Sequence, residues 1–481
     1  MLSPQGTLPL SSHIELYDKL IPEDNLLRRI NRLIDFSFVY DELKTKYSLS
    51  IGRVALDPIL LFKYLLLKII YPASDVDVVD RSRYDLSYKY FLGLMPEDNV
   101  INPSTLTKFR TLRLKDADLL NKLLGKTVNI AIEKGLITTG TVIVDSTHTK
   151  SRYNSYSALA SLRERSKDLK DILSLYHVDI DIAEILTEET LKSTIERCRK
   201  LIEDIKNKET VLSQYPGIKE KLNFLEEGIS DSMTRHDVSF DKDAKRGHKS
   251  ADSSFFGYKT HLIITLERLI AGAVITTGEK GDGAYLPELI EQCKSNGIDV
   301  DTVVGDAAYG SKSNIETLEK ENIKLVSNIN NQIVKERNDG FTFNKDAQML
   351  ICPMGHMAER KREVKIKNAS SGNGYEYKFN KEQCDICAAK DACHSYQRQK
   401  LNGTGIVITN RSETHLKQSE FAKTDEFRNK MKERYKIEAK NAELKNVLHY
   451  DKASSFGLQN MEMQGALTLF VCNIKRILKL M

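Results

Sequence analysis

Short apolar runs alternate with segments of helical periodicity between residues 140 and 330. β-Branched residues fill Gly140–Thr147, and two later runs predict a pair of strands that form a hairpin, Phe255–Thr265 and Leu269–Thr276. The pattern then predicts a helix, a strand, a second helix and a last strand over Leu286–Asn296, Val300–Asp306, Lys312–Asn322 and Ile323–Ile329. This order predicts an α/β domain in which helices cover a mixed sheet.

Helical periodicity dominates residues 15–135 and predicts an all-α N-terminal domain. Its most apolar helix is predicted over Asp57–Ile70, with Asp57 as N-cap and Pro58 in the first turn. Residues 1–110 contain fourteen Lys/Arg and fourteen Asp/Glu. Helices joined by short turns are compatible with a DNA-binding helix-turn-helix, but this balanced charge leaves a packing or dimerisation role equally open.

Two insertions interrupt the predicted sheet. Residues 155–230 have the spacing of a helical hairpin or short coiled coil. Residues 331–425 carry four cysteines whose spacing is compatible either with a structural zinc site or with reduced, partly buried thiols: Cys352, Cys384, Cys387 and Cys393. The polar loop Val238–Lys249 is compatible with a phosphate grip or with a simple connector.

Three carboxylates stand where catalytic groups are expected. Asp145 and Asp306 come at the ends of predicted strands, where a lone Asp is usually a turn former or a cap. Glu438 follows Arg434 by four residues and precedes Lys445 by seven, so the three share one helical face. An exposed helix with i,i+4 charge pairs is the simpler interpretation of that face. The two strand aspartates favour a catalytic carboxylate with phosphate-binding neighbours instead.

These motifs resemble those of bacterial insertion-sequence transposases of the DDE class. Asp306-Ala-Ala-Tyr-Gly-Ser311 resembles the element around the second Asp, with Ala308 in the place of a Gly. The spacing Arg434, three residues, Glu438, six residues, Lys445 resembles the Tyr-Arg-Glu-Lys signature, although Met431 stands where its Tyr should be. The N-terminal helical domain resembles that of the same enzymes at Asp57-Pro58 and over residues 105–110.

The resemblance implies a ribonuclease-H-like catalytic domain over residues 138–478. In it Asp145, Asp306 and Glu438 would be the catalytic residues and would bind two Mg²⁺ or Mn²⁺ ions, which prefer oxygen ligands. DNA contacts are predicted for five residues: Arg434, Lys445, Tyr309, Lys259 and Thr147.

The implied function is metal-dependent cleavage at insertion-sequence ends, followed by transfer of the freed 3′-OH into target DNA. Its partners would be double-stranded DNA (terminal inverted repeats and target) and a second copy of the chain, because two ends need two active sites. A ribonuclease-H-like nuclease without strand transfer, an inactive transposase-derived DNA-binding protein and a zinc-centred binder remain alternatives.

Composition agrees with a folded, DNA-acting protein. Of 481 residues, 29% are charged and 41% hydrophobic, and no apolar run approaches the roughly 18–20 residues of a membrane span. No signal peptide is predicted, and seven cysteines indicate reduced thiols or a metal, so we expect a cytoplasmic, nucleoid-associated bacterial protein. Residues 426–481 hold eleven Lys/Arg against six Asp/Glu, which suits an approaching phosphate backbone.

Overall fold

The computed structural model describes residues 11–48, 55–115, 118–153, 156–187, 190–208, 214–234, 237–239, 241–248, 254–329, 341–344, 349–365, 373–391, 393, 396, 406–408 and 413–481. Helices precede the first strand: α1 Glu15–Leu20, α2 Leu26–Leu33, α3 Ser37–Leu43, α4 Pro58–Ile70, α5 Asp75–Arg81, α6 Leu86–Leu92, α7 Ser104–Phe109 (continued by a π-helical turn, Arg110–Leu114) and α8 Leu119–Glu133. The central part follows: β1 Thr141–Lys150, β2 Tyr156–Ser157, α9 Ala158–Ser174, α10 Ala183–Thr187, α11 Leu191–Lys208, α12 Pro216–Thr234, β3 Asp237–Val238, β4 Lys245–His248, β5 Ser254–Thr265, β6 Ile270–Thr277, α13 Leu286–Ser295, β7 Thr302–Val304, α14 Lys312–Lys320 and β8 Lys324–Val326. The remainder comprises β9 Thr342–Asn344, β10 Met349–Ile351, β11 Arg360–Lys365, β12 Asn373–Lys378, α15 Lys381–Asp385, β13 Ile406–Ile408, α16 Glu413–Phe421, α17 Asp425–Lys432, α18 Tyr435–Asn446 and α19 Leu458–Leu480.

The N-terminal region is all helical, as predicted. The Asp57 side chain accepts a hydrogen bond from the backbone N–H of Ile59, so α4 begins with the expected cap and Pro58 in its first turn. Ser74 and Asp77 form a reciprocal capping box at the start of α5. Each cap satisfies backbone donors that a helix leaves unpaired at its first turn.

A six-stranded mixed sheet forms the centre of the molecule. Its strands run in the order β4-β5-β1-β7-β8, and β6 also pairs with β5. β1 pairs antiparallel with β5 and parallel with β7, while β7 and β8 are parallel. Gly257 is paired on one side with Lys150 and on the other with Lys245, and β6 takes over that second side from Tyr258 onward. β4 and β6 therefore occupy successive lengths of one edge of β5. This is the predicted ribonuclease-H-like arrangement.

β1 differs from its prediction in one respect. The strand does not end at Asp145 but continues to Lys150, because β5 keeps pairing with it along this whole length. The pairing of β1 with β7 ends earlier, and its last residue pair is Ile143 with Val304. Beyond Ile143, one edge of β1 therefore has no strand partner as far as Lys150, which is bridged to Lys452. This open edge begins at the C-terminal end of β7.

One hydrophobic core joins the N-terminal helices to the sheet. It includes residues of α2, α4 and α6, the β5 side chains Leu262 and Ile264, and most of the buried face of α19. α19 thus lies under the sheet, as predicted, and Arg29 of α2 donates to the Leu478 carbonyl near its end. Packing is therefore one role of the N-terminal helices, whereas their binding to DNA stays a prediction. A second core, on the other face of the sheet, contains Leu289 of α13 and Ile315 of α14.

The insertion after β1 has a hydrophobic core of its own. Its buried residues come from α9, α10, α11 and α12, with Leu162, Ile202 and Leu225 among them. The insertion is thus helical as predicted, but it is more than a hairpin, because α12 was not predicted from the sequence. Pro216 occupies the first helical turn, where its fixed φ and missing N–H are tolerated, so a residue that resembles a break starts this helix.

The insertion after β8 contains small sheets: β9 with β10, and β11 with β12 and β13. A buried cluster that includes Leu350, Tyr377 and Phe379 lies between them. The cysteines Cys198, Cys293 and Cys472 are buried elsewhere as ordinary core residues, which confirms the prediction for them. No helix in the described ranges has the length and apolarity needed to cross a membrane.

Candidate active site

The open edge of β1 brings the two strand aspartates together. Ile143 and Val304 form the last residue pair between the parallel strands β1 and β7. Asp145 lies two residues beyond Ile143, and Asp306 lies two residues beyond Val304. Asp145 is still within β1, whereas Asp306 lies just past the end of β7. The two side chains are close enough for the charge of Asp306 to raise the pKa of the Asp145 carboxyl.

Helix α18 lies beside this point and carries the third carboxylate. Asn441 donates from Nδ2 to Asp145 Oδ2 at 3.0 Å, which holds the helix against β1. Glu438 lies one turn before Asn441, its side chain is 64% exposed, and its Oε1 is 3.9 Å from Nη2 of Arg434. The sequence analysis did not single out Asn441, although its position three residues after Glu438 places it on the same face.

The carboxylates repel one another through a poorly solvated environment. Burial raises the pKa of the Asp145 carboxyl to about 6 from its ordinary value of 3.8, and the charges of Asp306 and Asp282 raise it as well. The Ser146 backbone N–H and the Arg434 guanidinium act in the opposite direction. Asp306 is itself held, since its Oδ1 accepts a hydrogen bond from the Ala308 backbone N–H at 2.9 Å.

Several polar atoms around the carboxylates are buried without a hydrogen-bond partner among the described residues. They are Thr147 Oγ1, Tyr309 Oη, Arg434 Nε and Asn441 Oδ1. Buried polar atoms nearly always have a hydrogen-bond partner, so several unpaired ones in one place call for an explanation. Together with the mutually repelling carboxylates, it fits a site built to receive a cation and its hydration shell. No group of three or more His, Cys, Asp or Glu in the described parts of the chain is already arranged to hold a metal ion.

Two of the predicted DNA contacts lie inside the protein. Tyr309 has no exposed surface and Thr147 is 3% exposed, so in this conformation neither reaches DNA. Burial raises the pKa of Tyr309 well above its ordinary value, and the charges of Asp282, Asp145 and Asp306 raise it too. Both side chains are therefore buried and not on the DNA-facing surface that the sequence suggested.

A third predicted contact, Lys259, is engaged inside the protein. Its Nζ lies 3.0 Å from Asp282 Oδ1 and also donates to the Lys280 carbonyl, and its side chain is only 12% exposed. The Nδ1 atom of His261 lies 3.4 Å from the same Asp282 oxygen. Asp282 is a fourth carboxylate of this region that the sequence analysis missed. Its signal was its position in the loop after β6, a strand that runs parallel to β1.

Lys445 and Arg434 stay at the rim of the site. Lys445 Nζ lies 3.3 Å from Nδ1 of His148, and the His148 ring lies against Phe255 with centroids 4.8 Å apart. Arg434 is the N-cap residue of α18, and its side chain is 26% exposed. Glu443, a second carboxylate of α18, lies 2.8 Å from the fully buried Lys440 and is therefore a structural partner of that lysine.

The four insertion cysteines converge although they are distant in sequence. Burial raises the pKa of the Cys384 thiol, and so do the charges of Cys393, Cys352 and Cys387. All four line one cavity of about 230 Å³ together with His356. The backbone N–H of Ala389 donates to Cys387 Sγ at 3.4 Å.

The mixed sheet and the all-helical N-terminal region define the class of the protein: an enzyme with a ribonuclease-H-like fold. Comparison with protein families agrees, because a model described as "Transposase DDE domain" matches residues 222–474, just over half of the chain. A second model, "Transposase domain (DUF772)", matches residues 15–112. Asp306 and Glu438 lie within the larger match, whereas Asp145 precedes it.

The chain belongs to the transposase DDE domain family, and it is a DNA transposase. Divalent metal use is implied by that family. Neither a curated protein nor a solved structure matches the chain.

Proposed function

We propose that the protein cleaves DNA at the ends of its insertion sequence and joins the freed 3′-OH to target DNA, using Asp145, Asp306 and Glu438 as catalytic residues. The observation that carries this proposal is the shared register of Asp145 and Asp306 at the separation of β1 and β7, with α18 fixed beside them through Asn441.

Each residue has a part in this proposal. Asp145, Asp306 and Glu438 would hold two Mg²⁺ or Mn²⁺ ions, and the exposed Glu438 can turn inward without breaking a buried contact. When bound, such ions stabilise charge on the attacking and leaving oxygens. Asn441 fixes the Asp145 carboxylate. Arg434 and Lys445 contact DNA phosphates at the rim, Arg434 in a bidentate manner.

The reaction consists of two displacements at phosphorus. Water first attacks the phosphate at the element end, the P–O3′ bond breaks, and a free 3′-OH and a 5′-phosphate remain. The 3′-OH then attacks a target phosphate, forming a new P–O bond and releasing a target 3′-OH. Two element ends require two such sites, so we propose that a homodimer acts on DNA.

The test uses purified full-length protein, Mg²⁺ or Mn²⁺, and labelled duplex that carries the ends of the encoding element, with and without target plasmid. We expect metal-dependent cleavage and joined products, both lost in Asp306→Asn. Asp301→Asn is the matched control, because this exposed Asp lies next to the start of the same strand, β7, away from the site.

The outcomes separate the alternatives. Cleavage without joined product would identify a nuclease that lacks strand transfer. Binding of ends without metal-dependent cleavage would identify a transposase-derived DNA-binding protein. Cleavage that persists in Asp306→Asn would refute the assigned carboxylates.

We also propose that Cys352, Cys384, Cys387 and Cys393 bind one structural Zn²⁺, since tetrahedral sites of thiolates are typical of zinc. Protein purified under reducing conditions should contain about one zinc per chain by elemental analysis, in line with a four-thiolate site. Cys384→Ser should lose it, and Cys198→Ser, a buried thiol of the helical insertion, should keep it. Zinc-free wild-type protein with unchanged thermal stability would exclude this site.

A further inference from the structure

Helix α18 carries a lysine on its buried side. Lys440 has no exposed surface, although it lies two residues after Glu438 and directly before Asn441. Burying a charged pair costs solvation free energy, and apolar side chains of similar volume usually fill such a position without loss of stability. Packing alone therefore does not account for a lysine at this position.

The amine of Lys440 lies against a thiol and a carboxylate. Its Nζ is 3.3 Å from Sγ of Cys472, on α19, and 2.8 Å from Oε2 of Glu443, almost one turn further along α18. Cys472 also has no exposed surface, whereas the Glu443 side chain is 27% exposed. Arg268, in the turn between β5 and β6, lies 3.4 Å from the same Glu443 oxygen. An amine and a thiol from two helices are thus held in contact, with a proton acceptor beside the amine.

Burial decides which oxidant can reach this pair. It raises the pKa of the Cys472 thiol to about 11, although the neighbouring Lys440 acts in the opposite direction. The thiol is therefore protonated at neutral pH and does not behave as an exposed, reactive thiolate. Dioxygen is small and apolar, so it enters an apolar core more readily than polar oxidants, which would lose their hydrogen bonds to water there.

We propose that Lys440 and Cys472 are a modification site, at which dioxygen forms a covalent N–O–S bridge that links α18 to α19. The bridge is independent of the proposed function, because neither DNA nor a divalent ion takes part in its formation.

The step balances with one molecule of dioxygen. The S–H bond of Cys472 and two N–H bonds of the Lys440 ammonium group break, and an S–O bond and an O–N bond form. Sulfur and nitrogen each lose two electrons, and these four electrons reduce dioxygen. One oxygen atom stays in the bridge and the other leaves as water with two of the protons, while Glu443 accepts the third proton. Excess dithiothreitol supplies the four electrons that reverse the step.

The bridge would restrain the helix that carries Glu438 and Asn441. It closes a loop from residue 440 to residue 472, and such a crosslink reduces the conformational entropy of the unfolded chain. Because Nζ and Sγ already lie in contact, the bridge needs little movement of either helix. We therefore expect a more stable protein with the same arrangement of α18.

The experiment compares full-length protein kept under reducing, anaerobic conditions with the same protein exposed to air. Mass spectrometry of the air-exposed protein should show a gain of one oxygen atom and a loss of two hydrogen atoms. Chymotryptic digestion should give one species that joins the peptide of Lys440 to the peptide of Cys472. Dithiothreitol should remove both signals.

Two variants test the assignment. Cys472→Ala should show neither the mass change nor the linked peptide, whereas Cys293→Ala, which removes a buried thiol of α13, should keep both. Exposure to air should raise the thermal midpoint of wild type by roughly 3–10 °C and leave that of Cys472→Ala unchanged. This comparison within one variant removes any effect of the substitution on folding.

Three results would overturn the bridge: an unchanged mass after exposure to air, a gain of oxygen atoms without a linked peptide, or a linked peptide that persists in Cys472→Ala. None of them bears on Asp145, Asp306 or Glu438. Conversely, loss of the catalytic proposal in the cleavage assay would leave the bridge in place.

Discussion

Asp145→Asn should stabilise the metal-free protein, and more so at higher pH. The folded state holds the pKa of this carboxyl at about 6, above its ordinary 3.8, because the group is poorly solvated and faces Asp306 and Asp282. An acid whose pKa is raised by folding binds its proton more tightly in the native state, so its ionisation destabilises that state as pH rises. The effect starts near the unfolded pKa and is complete above the folded one. From these two values the ionised carboxylate costs about 1 kcal/mol at pH 4.5 and about 3 kcal/mol at pH 8.

The substitution removes this charge while keeping an oxygen that Asn441 can donate to. Urea denaturation of wild type and variant at both pH values, without divalent ions, measures the difference. The variant should gain about 2 kcal/mol more at pH 8 than at pH 4.5. Mn²⁺ should raise the thermal midpoint of wild type and not of the variant. A gain that is equal at both pH values, or a loss at pH 8, would refute the assignment of Asp145 to a charged, desolvated cluster.

Three further substitutions separate structural from functional groups. Glu438→Gln should leave the free energy of unfolding within about 0.5 kcal/mol, since the side chain is 64% exposed, yet abolish Mn²⁺-induced thermal stabilisation; a large loss of stability would contradict this. Glu443→Gln should lower the free energy of unfolding, measured by urea denaturation, by about 3–5 kcal/mol, because it leaves the fully buried Lys440 without its carboxylate. An unchanged free energy of unfolding would show that water reaches this lysine. Asn473→Ala removes a buried amide that is hydrogen-bonded to Thr127 of α8 and to the backbone of β6, so it should lower the free energy of unfolding by about 2–3 kcal/mol. A change below about 0.5 kcal/mol would contradict a stabilising role for these hydrogen bonds.

Prediction from sequence was strongest where periodicity and caps are local. The short apolar runs that predicted the strands, and the Asp57-Pro58 start of α4, appear in the structure because these signals depend on a few neighbouring residues. It was weaker at α12, where Pro216 resembles a break but starts a helix. It was also weaker for side-chain exposure: Tyr309, Thr147 and Lys259 looked like surface groups.

The sequence by itself determined the order of the main sheet strands and of the helices between them, and the all-helical start, because residue type and short spacing carry these properties. Only the tertiary structure decided that β7 leaves β1 after Ile143, which sets Asp145 beside Asp306 across more than 150 residues of chain. It also decided that Asp282 lies near enough to act on Asp145 and that Asn441 anchors α18. Register and burial depend on contacts between distant segments, and no local pattern in the chain records them.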